Sequence, residues 1–515
     1  MNLAIVHYHL NRGGVARVVE NQLRALDAVL DPASRWHVAV LYGGRKQGWN
    51  EELLGQLRTI DLQLVEVPGL DYDEMGATAG LSSSAKPERL LTKLTDVLRQ
   101  LGFEPEQTVL HIHNHSLGKN RDLSASVHGL AELGYALLLQ IHDFAEDFRP
   151  DNYRRFASLA IDDLYPQAAN VHYAVLNGRD WSVLRRSGVE LDRLHLLPNP
   201  VPTVGPLPDR DAARKKLQAK FDVGPDERFL LYPVRGIRRK NLGEMLLVGL
   251  LSPPETVVGL TLAPLNPVET PDYTAWKETA SRLNLPCRFE VGGPGALRFD
   301  ENMAAADVML TTSLAEGFGM VMLEPWSAGR ALVGRNLPEI TTDFTKAGLR
   351  LDGLWNRLAV PLAWVGRERF IEKASNAYQK VLAACDWPLS PDWETVLREK
   401  TRDDVVDFGD LDESMQKDVL QVLVGNPEGR QYVLDHNPDL NAMLAVDMPA
   451  AAATIKHNVR VVEGQFSLVP SGRRLSELLL RVADSPRGGR LGRLAHPERI
   501  LGSFLDPRRF RMIRG

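Results

Sequence analysis

The chain has 515 residues, 44% of them hydrophobic and 25% charged, the composition of a soluble globular protein with material for roughly two or three domains. A net charge of −5 argues against a general nucleic-acid binder, and two cysteines, Cys287 and Cys385, supply neither a disulfide framework nor, alone, a zinc site. No apolar run approaches the ~20 residues of a membrane span. The chain enters a strand at once, without the layout of a signal peptide, so a cytoplasmic location is expected.

In chain order, residues 3–8 form a strand, Asn11-Arg12-Gly13-Gly14 a turn, and residues 15–30 a helix with Val15, Val18, Val19, Gln22, Leu26 and Val29 on roughly one face. Strand, glycine pair and helix open a Rossmann-like unit, although no third glycine completes a dinucleotide fingerprint. Taken by themselves, the glycines read as a tight turn that needs them for its geometry. Strands at 36–42, 62–67, 108–113, 136–141, 171–176 and 194–197 then alternate with helices at 87–101, 123–133, 153–164 and 179–186. That alternation implies a parallel sheet covered by helices. Residues 69–84 carry no clear periodicity and read as a loop over a ligand-binding cleft.

Two histidine clusters lie at strand ends. In His111-Ile112-His113-Asn114-His115, alternation would put all three imidazoles on one face if the strand continued, which would suit a transition metal. The strand should instead end near His113 and leave polar residues lining a cleft, so no metal is assigned. His142 follows the apolar strand 136–141, at the carboxyl edge where open α/β sheets bind ligands; a structural histidine capping the loop is the alternative.

The proline-rich Leu197-Pro198-Asn199-Pro200-Val201-Pro202 is a stiff hinge. After it the pattern starts over, with helices at 211–220, 241–251, 273–283 and 299–306 and strands at 228–234, 257–263, 287–291 and 307–310. Between the first of these strands and its helix lie Arg235, Arg238, Arg239 and Lys240, four cations in six residues that could be a solvated loop or a ligand-facing one; a guanidinium offers a planar fork, an ammonium a point charge. The last strand leads into Glu316-Gly317-Phe318-Gly319 and an expected helix over residues 320–329. The amides of Phe318, Gly319 and Met320 would open that helix without intrahelical partners, making an anion site at its positive end. Glu316 and Glu324 are eight residues apart, about 12 Å along a helix at ~1.5 Å per residue. Even shortened by the turn, the pair suits two parts of one long ligand, such as a nucleotide sugar, better than the acid and base of a glycoside hydrolase, which stand roughly 5–9.5 Å apart. In isolation the pair reads more simply as a helix-start acid and a solvated glutamate.

This stretch resembles the Glu-x7-Glu signature of retaining nucleotide-sugar glycosyltransferases of the GT-B class, particularly family four, including its Glu-Gly-Phe-Gly lead-in. The resemblance spans roughly residues 1–345. It implies an α/β fold of two Rossmann-like domains facing a cleft, with C-terminal helices. The expected division is an acceptor domain over residues 1–200, a donor domain over 201–400, and a helical extension over 401–515 that returns toward the first domain through the segment around Arg474. It also implies that Glu316 contacts the donor sugar and Glu324 the ribose, that Arg235 and Lys240 grip the diphosphate, and that His142 lies near the sugar. Gly13 and Gly14 would approach the acceptor or the phosphates. The cationic loop departs from the family pattern: Val234 stands where glycine precedes the arginine, four residues separate Arg235 from Lys240, and Asn241 stands where glycine is common. Pro198-Asn199-Pro200-Val201 is similar to the family's interdomain linker, Leu337-Pro338-Glu339-Ile340 to its short Pro-Glu motif, and Gly292-Gly293-Pro294-Gly295 falls where a base-binding wall is common.

The expectation is therefore a hexosyltransferase that moves sugar from a UDP- or GDP-linked donor to a hydroxyl acceptor with retention. The nucleotide sugar is a substrate, and neither cofactor nor metal is expected. A disaccharide phosphorylase on the same fold and a noncatalytic nucleotide-sugar binding module are the alternatives. Helices are expected at residues 367–384, 415–424, 427–434 and 474–482. The tail from Arg487 holds eight arginines and two acids beside Leu501, Phe504, Leu505, Phe510, Met512 and Ile513; it should dock on the protein or stay mobile, a membrane-surface helix being the other reading.

Overall fold

A computed structural model describes residues 1–73, 87–156, 164–488 and 490–514. Two units divide the chain: Met1–Pro202 with Gln465–Leu505, and Thr203–Gly464 with Asp506–Gly515.

The first unit is built on seven strands: β1 (Asn2–Val6), β2 (Trp36–Tyr42), β3 (Ile60–Glu66), β4 (Thr108–His113), β5 (Ala136–Ile141), β6 (Val171–Val175) and β7 (Leu194–Leu196). They pair in parallel in the order β3-β2-β1-β4-β5-β6-β7. The order reverses between β1 and β4, and such a reversal opens a crevice at the carboxyl ends of the strands. Strand pleating sorts the core. Leu3 and Ile5 face a layer with Val19, Leu23, Leu475 and Leu479. Ala4 and Val6 face the opposite layer, with Leu94, Val127 and Phe504. The helix Leu468–Ala483 runs against the helix Gly14–Asp27. They approach so closely that a Cβ at Gly472 would lie 2.0 Å from the Ala25 carbonyl oxygen.

The second unit repeats the plan with β8 (Arg228–Arg235), β9 (Thr256–Leu262), β10 (Cys287–Phe289), β11 (Val308–Thr311), β12 (Ala331–Arg335) and β13 (Leu354–Trp355). Their order, β10-β9-β8-β11-β12-β13, places the crevice between β8 and β11. Pro233, which cannot donate to a ladder, falls in a register irregularity between Tyr232 and Arg235. The helix Leu242–Leu251 is apolar almost all round and buried throughout, as such a helix must be. Its one acid, Glu244, meets Arg335 at 2.7 Å and accepts from the Trp355 indole at 3.0 Å; Arg335 also grips Asp407 at 2.7 Å. A small antiparallel pair, β14 (Ala359–Pro361) with β15 (Val405–Asp407), brings Asp407 to that cluster.

Several expectations change. The helix expected over residues 320–329 is a 3-10 turn, Met320–Met322, followed by the single helical turn Glu324–Ser327. Gly319, at φ +89°, cannot begin a regular helix, and Pro325 lacks the N–H that would continue one. The expected strand over 287–291 stops at Phe289, and Glu290 adopts φ +63°. The helix expected over residues 153–164 is the five-residue Pro150–Arg154, and residues 157–163 lie outside the described ones, as does most of the loop expected at 69–84. The helix Met448–Gln465 was not anticipated. Phe504 and Leu505 are buried in the first unit and Phe510, Met512 and Ile513 in the second, so the tail's apolar residues are covered by protein. Among the described residues no helix is long and apolar enough to cross a membrane.

Candidate functional site

In the second unit, the loops leaving β8 and β11 meet at the strand-order reversal. The Tyr232 hydroxyl lies 3.1 Å from the Lys240 carbonyl and 2.7 Å from the Ser313 hydroxyl. Thr312 Oγ1 donates to the carbonyls of Lys240 and Asn241, at 3.0 and 3.2 Å, and the Leu314 N–H to Arg239 O at 2.9 Å. Asn241 adopts φ +52°, the left-handed conformation that asparagine tolerates, which explains how it serves where glycine is common. Its side chain is held by Gln416 and donates to Glu244 at 2.7 Å. The cationic loop is thus fixed from both sides by buried polar groups.

This frame aims Lys240 at Glu316, and the ammonium and carboxylate form a direct ion pair, each about one-tenth exposed. Burial lowers the Lys240 ammonium below its ordinary range, with Glu316 opposing the shift. Burial alone would raise the Glu316 carboxyl, but Lys240 and then Arg239 outweigh it and hold the group below its usual range, so it is ionised at neutral pH. Glu324, at the start of its helical turn, also acts electrostatically on Lys240. The loop's cations divide their work. Arg238 is taken up by Glu413 at 2.7 Å and Asp272 at 3.2 Å, while Arg235, at the end of β8, donates to Ala263 O at 3.3 Å. Phe318 is a buried core side chain, edge-on to Phe344 with centroids 5.6 Å apart, and Met320 is half-buried beside Gly319.

In the first unit, Gly13 caps the helix Gly14–Asp27 in extended backbone, at φ −166°. A Cβ at Gly14 would meet nothing within 4 Å, so neither backbone conformation nor protein packing demands glycine at this exposed turn. β4 ends at His113, and Asn114 turns into the left-handed region at φ +57°. That breaks the alternation. His115 goes to the Leu164 carbonyl, 2.9 Å away, apart from His111 and His113. Asn114 Oδ1 accepts the N–H groups of His142 and Asp143, at 2.7 and 3.1 Å, and His142 Nε2 lies 2.8 Å from His113 Nδ1. Burial pushes His142 down to about 4 and His111 to about 3, and carries His7 and His113 well below their ordinary range, so all four imidazoles are neutral at pH 7. Among the described residues no group of three or more histidines, cysteines or acids is placed to hold a metal ion.

Sequence reading missed the residues that stitch the loops, Tyr232, Thr312 and Ser313. The polar run Thr311-Thr312-Ser313 after a buried strand was their signal. It also missed the company of His142, because His7 and His113 reach it through the sheet and not along the chain.

No protein-family model matches the chain. It is 26% identical over 429 residues to mannosylglucosyl-3-phosphoglycerate synthase of Petrotoga mobilis, covering 81% of this chain and 80% of that protein. Among solved structures it is similar to Anabaena Alr3699/HepE in complex with UDP-glucose, with a TM-score of 0.55 and 13% identity over 93% of this chain and 99% of that one. The sucrose-phosphate synthase of Thermosynechococcus elongatus matches with a TM-score of 0.54 and 13% identity over 94% and 99% of the two chains. The two parallel sheets are those of the GT-B fold, which this chain shares with these solved structures.

Proposed function

We propose that this chain is a retaining glycosyltransferase that moves a hexosyl group from a UDP- or GDP-linked donor to a hydroxyl acceptor. The observation that carries the reading is the buried Lys240–Glu316 pair at the crevice between β8 and β11. A buried ion pair contributes little to stability by itself. Here it keeps a carboxylate ionised and an ammonium desolvated, ready to accept sugar hydroxyls and to meet a phosphate. Arg235 and Lys240 balance the charge of the diphosphate, Glu324 accepts from the ribose, and the backbone at Phe318, Gly319 and Met320 lies along the donor. His142, neutral at pH 7, is the first unit's candidate for a hydrogen bond to a sugar hydroxyl, and the open turn at Gly13 and Gly14 leaves room for backbone to approach a ligand.

In the transfer, the bond from the anomeric carbon to the diphosphate oxygen breaks while the acceptor oxygen bonds to the same face. The acceptor proton passes to the leaving diphosphate, so no protein nucleophile is needed. Support comes from the relative that is a sugar-transferring synthase and from similar structures that hold UDP or UDP-glucose.

Glu316→Gln tests the assignment. Glu316→Ala would strand the Lys240 charge, at about 3–5 kcal/mol for a broken buried pair, and mix unfolding with lost function. Glutamine also removes the counter-charge of Lys240 but keeps an oxygen that accepts from its ammonium, so this variant should lose less stability than Glu316→Ala and, assayed below its own melting temperature, should lose turnover by about a hundredfold or more in a donor-consumption assay. Wild-type turnover in that variant would remove Glu316 from the site.

A further inference from the structure

We propose that residues 506–514 form a strap that positions the cationic loop Arg238–Lys240 for the donor, with Ile513 as its positioning residue; this deepens the transfer reading above and rests on it. The first unit ends its second piece at Leu505, and the residues from Asp506 onward belong to the second unit. There the 3-10 turn Met512–Arg514 lies against the 3-10 turn Arg238–Lys240. Ile513 is 3% exposed, and with Gly236, Ile237, Arg238, Asn241 and Trp276 it lines a small cavity beside the loop. Other side chains fasten the strap to separate segments of the same unit. Arg509 donates at 3.2 Å to Glu339, in the first turn of the helix Pro338–Lys346. Phe510 packs on Tyr378 and Trp393, with centroids 5.1 and 5.9 Å apart. Arg511 meets Asp410 at 2.8 Å, and the Lys400 ammonium lies 2.6 Å from the same carboxylate oxygen.

The loop needs such support. Its three successive cations repel one another, and a 3-10 turn has poor hydrogen-bond geometry of its own. Within the turn, the N–H groups of Lys240 and Asn241 donate to Ile237 O and Arg238 O at 2.9 Å. Polar groups from β11 and Gln416 hold other parts of it, and Ile513 adds an apolar contact from far along the chain. The strap brings arginines of its own toward that loop, and charge alone would drive the two apart. Asp392, Glu339 and Asp410 take up Arg508, Arg509 and Arg511, which leaves the packing of Ile513 to hold strap and loop together. Shortening Ile513 would enlarge the cavity and loosen the loop backbone while every cation stayed in place. A loosened loop must be ordered at the moment of binding, so donor affinity falls although no donor-facing group has been removed.

Amide hydrogen exchange and calorimetric titration with UDP and GDP, both on the full chain, test this. Ile513→Ser should speed exchange of the amides between Gly236 and Glu244 about tenfold or more. It should also weaken binding of whichever nucleoside diphosphate the wild type takes by about tenfold, a change of the size that residues outside a site produce. Ile513→Val should keep both readouts near the wild type. If Ile513→Ser does not fold, Ile513→Ala carries the same comparison. Leu479→Ala, in the core of the first unit, should lower the melting temperature and move neither readout, which separates positioning of the loop from a general loss of stability. Wild-type exchange in the loop of Ile513→Ser, wild-type affinity despite faster exchange, or an equal effect from Leu479→Ala would each overturn the proposal. A wild type that binds neither UDP nor GDP would overturn the donor reading instead, and the exchange comparison would still decide whether the strap holds the loop.

Discussion

Glu324 stands at the first position of a single helical turn, within the field of the Lys240 ammonium. If it accepts from a ribose, Glu324→Ala should weaken nucleoside diphosphate binding about ten- to a hundredfold, as a charged hydrogen bond of roughly 1.5–3 kcal/mol requires. Calorimetry with UDP and GDP checks this, and unchanged affinity would favour a phosphorylase on the same fold. Glu146 makes a different prediction. Burial pushes its carboxyl from 4.5 up to about 7, and the Tyr165 hydroxyl donates to Oε1 at 2.9 Å. A raised folded-state value means that the native protein holds a proton the unfolded chain releases. The stabilisation is therefore complete below pH ~4.5 and fades as pH rises through about 7, a loss of about 3 kcal/mol. Glu146→Gln should flatten the fall in melting temperature between pH 5 and pH 8; an unchanged slope would show that another group titrates.

At the scale of elements, much was legible because each unit buries its strands on both faces. The strands Trp36–Tyr42, Thr108–His113 and Ala136–Ile141 and the helix Arg367–Ala384 fall where periodicity puts them. The segment after Phe318 was misread as one helix because its apolar spacing is helical, whereas Gly319 and Pro325 dictate the backbone. The strand Ala331–Arg335 was overlooked because it ends on an arginine; pairing of Arg335 with Glu244 and Asp407 makes that charge acceptable, and no sequence pattern announces partners so distant. Of the site, the residues Glu316 and Lys240 were legible from motif spacing, but their mutual pairing was not. The helix contact at Gly472 supplies the element-scale prediction. Gly472→Val would force its side chain into the Ala25 carbonyl, and should lower stability by about 1–3 kcal/mol or more, read as a lower midpoint in urea. A wild-type midpoint would mean that the two helices can part without loss.

For the molecule as a whole, the charge of a leaving diphosphate has to be met by protein cations or a metal. Arg235 and Lys240 are assigned that work, so transfer should survive exhaustive chelation, and Arg235→Ala should lower it by orders of magnitude with or without magnesium. Loss of activity on chelation and its return with metal would redirect attention to the histidines at the end of β4. The division of the chain carries one more consequence. The first unit owns Met1–Pro202 and Gln465–Leu505, and its sheet is covered on one face by Leu475 and Leu479 and on the other by Phe504. On a ribosome adding ~5–20 residues per second, the roughly 260 residues between those pieces take about 13–50 s to make. Through that interval the seven-stranded sheet lacks Leu475, Leu479 and Phe504, and the apolar surface they cover stays open to the solvent until those helices leave the ribosome.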